Sequence, residues 1–128
     1  MTSQERALVG LVRVLEERCI PYMVVGGLAN AVWGEPRATV DFDVTVWIED
    51  PEMARVVGEL TSVFPTLAAD PVAFMGQTRV LPLESGEGIR IDVIFGLVPF
   101  EREAIERAVP IAMADVQVRF RTAEALSL

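Results

Sequence analysis

The chain has 128 residues, 52% of them hydrophobic and 23% charged, with 19 acidic against 11 basic side chains and a net charge of −8. That length suits a single domain over residues 1–128 with its own core. The apolar share excludes disorder, no apolar run reaches the roughly 18–20 residues of a membrane span, and the acidic balance argues against broad nucleic-acid binding. There is no His and no Lys, so imidazole acid–base chemistry, a Walker-type lysine and Schiff-base catalysis are excluded. Cys19 is alone, which excludes an intramolecular disulfide and fits a reducing, cytoplasmic setting.

Thr2 and Glu5 have the spacing of a capping box, and Ala7, Leu8, Leu11, Val12 and Leu15 recur at helical spacing. They predict a helix over 3–18, stopped by Pro21. Tyr22 to Val25 reads as a buried strand closed by Gly26-Gly27, and Leu28 to Trp33 as a short helix ended by Gly34. Glu35 to Thr39 reads as a polar loop. From Val40 to Glu49 the even positions are apolar and the odd ones mostly polar, the period of a strand with one buried face. Asp50-Pro51 supplies an N-cap and first-turn proline for a helix over 51–63. Pro65 to Gln77 reads as loop with a short strand. Thr78–Leu83 and Ile89–Phe95 form a hairpin across Glu84-Ser85-Gly86-Glu87-Gly88. Phe100–Ala108 reads as a helix opened by Pro99, with strands at Ile111–Met113 and Val116–Phe120. Thr122 reads as the N-cap of a helix cut short at Leu128, which favours a further C-terminal helical piece.

Three features carry chemistry. Gly26-Gly27 lies between a strand and a helix, where backbone N–H groups and the helix dipole accept phosphate. Asp41 and Asp43 are two residues apart on one strand, so they leave the same face roughly 6.6–6.8 Å apart. Asp92 lies on a later strand, away from its apolar face. If the two strands are neighbours, three carboxylates share one patch with no lysine to neutralise them, and hard divalent cations relieve the repulsion. Arg37, four residues before Asp41, can hold a phosphate oxygen or pair with the carboxylates. Each feature has a plainer reading: a tight turn, a solvated Asp-x-Asp, an Asp92 paired with Arg90 or Arg79, a loop arginine. The remaining arginines are scattered and draw no nucleic-acid stripe.

The runs Val24-Val25-Gly26-Gly27-Leu28-Ala29-Asn30 and Pro36-Arg37-Ala38-Thr39-Val40-Asp41-Phe42-Asp43-Val44, followed by Ile91-Asp92-Val93, resemble the nucleotidyltransferase superfamily related to DNA polymerase β. The Arg-x-Thr-x-Asp-x-Asp wording looks most like its minimal nucleotidyltransferases and abortive-infection toxins. The resemblance covers Met1 to about Phe120. It implies an α/β fold of α+β type: a mixed, mainly antiparallel sheet, helices chiefly on one face against the buried strand faces, and carboxylates on the opposite, open face.

The resemblance also implies transfer of a nucleoside monophosphate from an NTP to an acceptor hydroxyl, with pyrophosphate release. Asp41, Asp43 and Asp92 would hold two Mg²⁺ or Mn²⁺ ions, and Gly26, Gly27 and Arg37 would meet the phosphates. The acceptor is left open between a protein hydroxyl, an RNA 3′ end and a small molecule. The partners implied are an antitoxin, the missing C-terminal segment or a second copy in a homo-oligomer, with no membrane. Two departures stand out: Gly27 replaces the serine that many members place there, and residues 28–40 make a long spacer. The competing readings are a non-catalytic nucleotide-binding or interaction module of the same fold, and an antibiotic-modifying nucleotidyltransferase, whose cationic substrate would suit an acidic surface.

Overall fold

Thr2 Oγ1 accepts the Glu5 amide at 3.1 Å, and Glu5 Oε1 accepts the Thr2 amide at 3.3 Å. This reciprocal cap starts helix α1 (Ser3–Glu17) where the sequence predicts it. The computed structural model describes residues 1–26 and 42–122. The predicted helix Leu28–Trp33, the loop Glu35–Thr39 and the helix after Thr122 lie outside the described residues.

Six strands form one sheet: β1 (Tyr22–Gly26), β2 (Phe42–Val46), β3 (Val80–Glu84), β4 (Arg90–Phe95), β5 (Val109–Met113) and β6 (Val116–Phe120). Their order is β3-β4-β2-β1-β6-β5. β3 with β4, β1 with β2 and β5 with β6 run antiparallel, while β2 with β4 and β1 with β6 run parallel. The expected mixed, mainly antiparallel sheet is present. Between the strands lie α2 (Met53–Val63), α3 (Pro71–Thr78) and α4 (Pro99–Glu106). None of the described helices is long and apolar enough to cross a membrane.

Alternation sorts the strand residues onto two faces. Val24, Val44, Val46, Ile91, Val93, Phe95, Leu81 and Val118 join Leu8, Leu11 and Leu15 of α1 and Val56, Val57 and Leu60 of α2 in one large apolar cluster. This is the expected helix-covered face. The other face is not wholly open. Met23 packs there with Ala104, Ile105 and Ala108, flanked by Val25 and Trp47, so α4 covers the β1 side of it.

Three local expectations are corrected. The strand predicted to run from Val40 to Glu49 ends at Val46. Beyond it the Trp47 amide donates to Pro21 O at 3.0 Å, and the chain turns away. Asp50-Pro51 opens a 3-10 turn (Asp50–Glu52) rather than capping α2 directly, and no side chain caps either element. Pro65–Gln77 contains helix α3, not a strand of its own, although Thr66 makes an isolated bridge to Leu83. Asp70 Oδ1 accepts the Ala73 amide at 3.2 Å and Pro71 occupies the first turn. Thr78 therefore ends α3 rather than starting β3, and Arg79 closes the helix at φ 65°.

Candidate functional site

Two of the predicted site residues meet on neighbouring strands. The parallel register pairs Asp43 of β2 with Asp92 of β4. Side chains level with each other in adjacent strands leave the same face from backbones about 4.7–4.9 Å apart. What fixes this face is the residue beside each carboxylate. Phe42, Val44, Ile91 and Val93 are all committed to the large cluster, so Asp43 and Asp92 point the other way. Gly26 sits opposite Asp43 because β1 bulges between Val24 and Gly26. The end of β1, the start of β2 and the start of β4 therefore lie side by side. Gly27, Arg37 and Asp41 lie outside the described residues.

Asp43 is half-buried, and its carboxyl titrates above its ordinary value. Burial is the main cause and the charge of Asp92 the second, while Arg90 opposes both. Asp92 accepts Arg90 Nε on Oδ1 at 3.2 Å, with only 16% of its side chain exposed. The pairing with Arg90 that the sequence allowed is thus present. Arg79 instead donates to Phe95 O and Gly96 O, at 3.2 and 2.9 Å.

Two carboxylates with four oxygens, one of them disfavoured in its charged form by the other, suit a hard cation such as Mg²⁺ or Mn²⁺. Among the described residues no group of three His, Cys, Asp or Glu side chains is gathered for a metal. Asp41 would have to supply a third.

Sequence reasoning missed the arginines on this face. Val24 pairs with Phe120, and both belong to the large cluster, so Arg119 and Arg121 leave the opposite face with the carboxylates. The Arg121 amide donates to Val24 O at 3.0 Å, and its guanidinium lies 5.5 Å from the centroid of the Phe100 ring. Arg119 Nη2 donates to Ile105 O at 3.4 Å. The alternation Gln117, Arg119, Arg121 was visible in the sequence. That β6 lies beside β1 was not.

A cavity of about 360 Å³ opens at the other ends of β1 and β2, lined by Arg18, Ile20, Trp47, Arg55, Arg102 and Ile105 among others. Trp47 is four residues past Asp43, roughly 13 Å along a strand. Two of its arginines are already neutralised, since Arg18 and Arg55 both bond Glu59, at 2.7 and 2.6 Å. The paired carboxylates are the better candidate for chemistry, because they set like charges level on adjacent strands with Asp43 held above its ordinary titration, first by burial and then by Asp92.

No protein-family model matches the chain, and no curated protein matches it in sequence. Among solved structures it is similar to an antigenic nucleotidyltransferase-like protein from Paracoccidioides brasiliensis, with a TM-score of 0.58 and 16% identity. The likeness covers 95% of this chain and 62% of that one. At that identity it speaks for the fold, and the sheet described above is a nucleotidyltransferase-like fold.

Proposed function

We propose that the chain is a nucleotidyltransferase that moves a nucleoside monophosphate from an NTP to an acceptor hydroxyl. The observation that carries this is the register of Asp43 with Asp92 on adjacent parallel strands of a nucleotidyltransferase-like sheet. The branch favoured is that of the minimal nucleotidyltransferases and abortive-infection toxins related to DNA polymerase β. Its support is the wording Arg37-x-Thr39-x-Asp41-x-Asp43.

In this reading Asp41, Asp43 and Asp92 hold the cations, and Gly26, Gly27 and Arg37 receive the phosphates. Bound Mg²⁺ or Mn²⁺ supplies charge neutralisation at the triphosphate and acidifies the acceptor hydroxyl. Asp92 takes the proton of that hydroxyl. The acceptor oxygen forms the new bond to the α-phosphorus, the bond from the α-phosphorus to the bridging oxygen breaks, and pyrophosphate leaves. Catalysis by this chain is then mainly positioning and electrostatics.

The test is calorimetric titration of ATP, GTP, CTP and UTP with and without Mg²⁺, paired with a pyrophosphate-release assay. Wild type should bind one or more nucleotides in a metal-dependent way. The double variant Asp41→Ala/Asp43→Ala should lose binding and release while folding as well as wild type. Binding without pyrophosphate release would make the chain a nucleotide-binding module. A double variant that cannot fold would make these carboxylates structural.

A further inference from the structure

Thr45 stands two residues after Asp43 on β2. Its neighbours Val44 and Val46 belong to the large apolar cluster, so its side chain leaves on the carboxylate face, roughly 6.6–6.8 Å along the strand from Asp43. Met23 of β1 and Ile94 of β4 lie level with it on either side. Thr45 is 3% exposed, and among the described residues no other polar or charged residue, tyrosine aside, is buried. A hydroxyl withdrawn from water in this way ordinarily has a partner. Tyr22 Oη, equally deep, accepts the Arg119 amide at 3.1 Å and donates to Gln117 O at 3.3 Å. Thr61, Thr66 and Thr78 are more exposed, yet donate to Val57 O, Pro82 O and Phe74 O at 2.9, 2.9 and 2.8 Å. The Thr45 hydroxyl meets no hydrogen-bond partner among the described residues. Leaving it so is a cost that valine, of the same shape, would not carry. The hydroxyl is therefore best explained by a polar group that comes to the carboxylate face from outside the chain.

We propose that Thr45 is a positioning residue of the carboxylate site: its hydroxyl accepts a hydrogen bond from a water carried by the cation that Asp43 and Asp92 hold. This rests on the reading that the two carboxylates bind a divalent cation. Mg²⁺ keeps several of its waters when carboxylates hold it, and those waters are strong donors. A water with two hydrogen bonds of about 2.8 Å spans about 5.6 Å, close to the separation of two residues on one strand face. The ion thereby gains a third fixed point on the sheet, and the hydroxyl gains a partner. Losing the hydroxyl should weaken cation binding and leave the fold intact.

The probe is Mn²⁺ alone, titrated calorimetrically into the full chain as wild type, Thr45→Val, Thr45→Ser and Asp43→Asn/Asp92→Asn. Thr45→Val should melt no lower than wild type and bind Mn²⁺ about tenfold more weakly, the low end of what contacts behind a metal's own ligands carry. Thr45→Ser keeps the hydroxyl and should bind nearly as wild type does, while the double Asn variant should lose binding. Unchanged binding in Thr45→Val overturns the proposal while the metal reading stands. A loss that Thr45→Ser shares in full is an effect of packing and overturns it too. If wild type does not bind Mn²⁺, the metal reading falls and this inference with it. Should Thr45→Val fail to fold, wild type decides. On adding Mg²⁺ the Thr45 methyl resonance should shift while those of Val46, on the opposite face, stay in place, and a Thr45 methyl that does not move overturns the inference.

Discussion

On the helix-covered face of the β2–β4 pair, Val44, Val46, Ile91, Val93 and Phe95 are each at most 2% exposed. On the opposite face of the same two strands stand Asp43, Arg90 and Asp92, half-buried, with one carboxyl held off its ordinary ionisation by burial and by its neighbour. The first face supplies stability. The second gives some of it up, because like charges are held together. The two depend on each other through the period of a strand. A slip of one residue would exchange the faces, and the apolar face makes that slip prohibitive. The hydrophobic cluster thus aims the carboxylates without touching them.

The comparison can be broken most directly at Ile91, next to Asp92. Ile91→Ala removes a side chain from the large cluster, and urea unfolding should show a loss of about 2–5 kcal/mol. A loss below about 0.5 kcal/mol would mean that this face does not carry the fold.

A smaller effect tests whether the second face is apolar at one end and charged at the other. A Cβ on Gly96 would stand 2.9 Å from Trp47 Cε3 and 3.3 Å from Val46 O. Gly96→Ala should therefore cost about 1–3 kcal/mol and shift the tryptophan fluorescence. The nucleotide binding proposed for the carboxylate end should be unchanged. Lost binding with an intact fold would show that the two ends are coupled.

The smallest expected effect is Asp43→Asn. The folded-state carboxyl titrates above its ordinary value of 3.8, so the folded chain holds that proton more readily than the unfolded chain does. Stability from this group is fully present below about pH 3.8 and is lost as pH rises through the folded value. At neutral pH the charged form is a cost that asparagine removes. Metal-free Asp43→Asn should melt above wild type at about pH 7, and the gap should close towards about pH 3. A variant that melts lower at neutral pH would make Asp43 a stabilising group and undo the contrast between the faces.

Much of the local structure was legible in the sequence, and its failures are instructive. The capping box at Thr2 and Glu5 placed α1 to within a residue at its end, because both bonds close within four residues of chain. Asp70-Pro71 carries the same helix-start signal as Asp50-Pro51 and truly caps α3. The sequence around it nevertheless reads as loop, because α3 buries only Met75 and no apolar stripe accompanies the cap. Asp50-Pro51 had its stripe in α2, but the chain took one 3-10 turn first. The sequence marks α4 as a helix but not its place on the carboxylate face, because only the docking of Ile105 and Ala104 on Met23 decides that.

The candidate site divides in the same way. That Asp43 and Asp92 each face away from an apolar strand face follows from alternation in the sequence alone, since neighbouring peptide units in a strand point to opposite sides. That the two carboxylates lie level, with Arg90 against one of them and Arg121 two strands away, depends on β4 lying parallel beside β2 and β6 parallel beside β1. Local propensity is set by a few consecutive residues. Strand neighbours are set by which faces bury the most apolar surface together, a choice among segments up to about a hundred residues apart that only the folded chain makes.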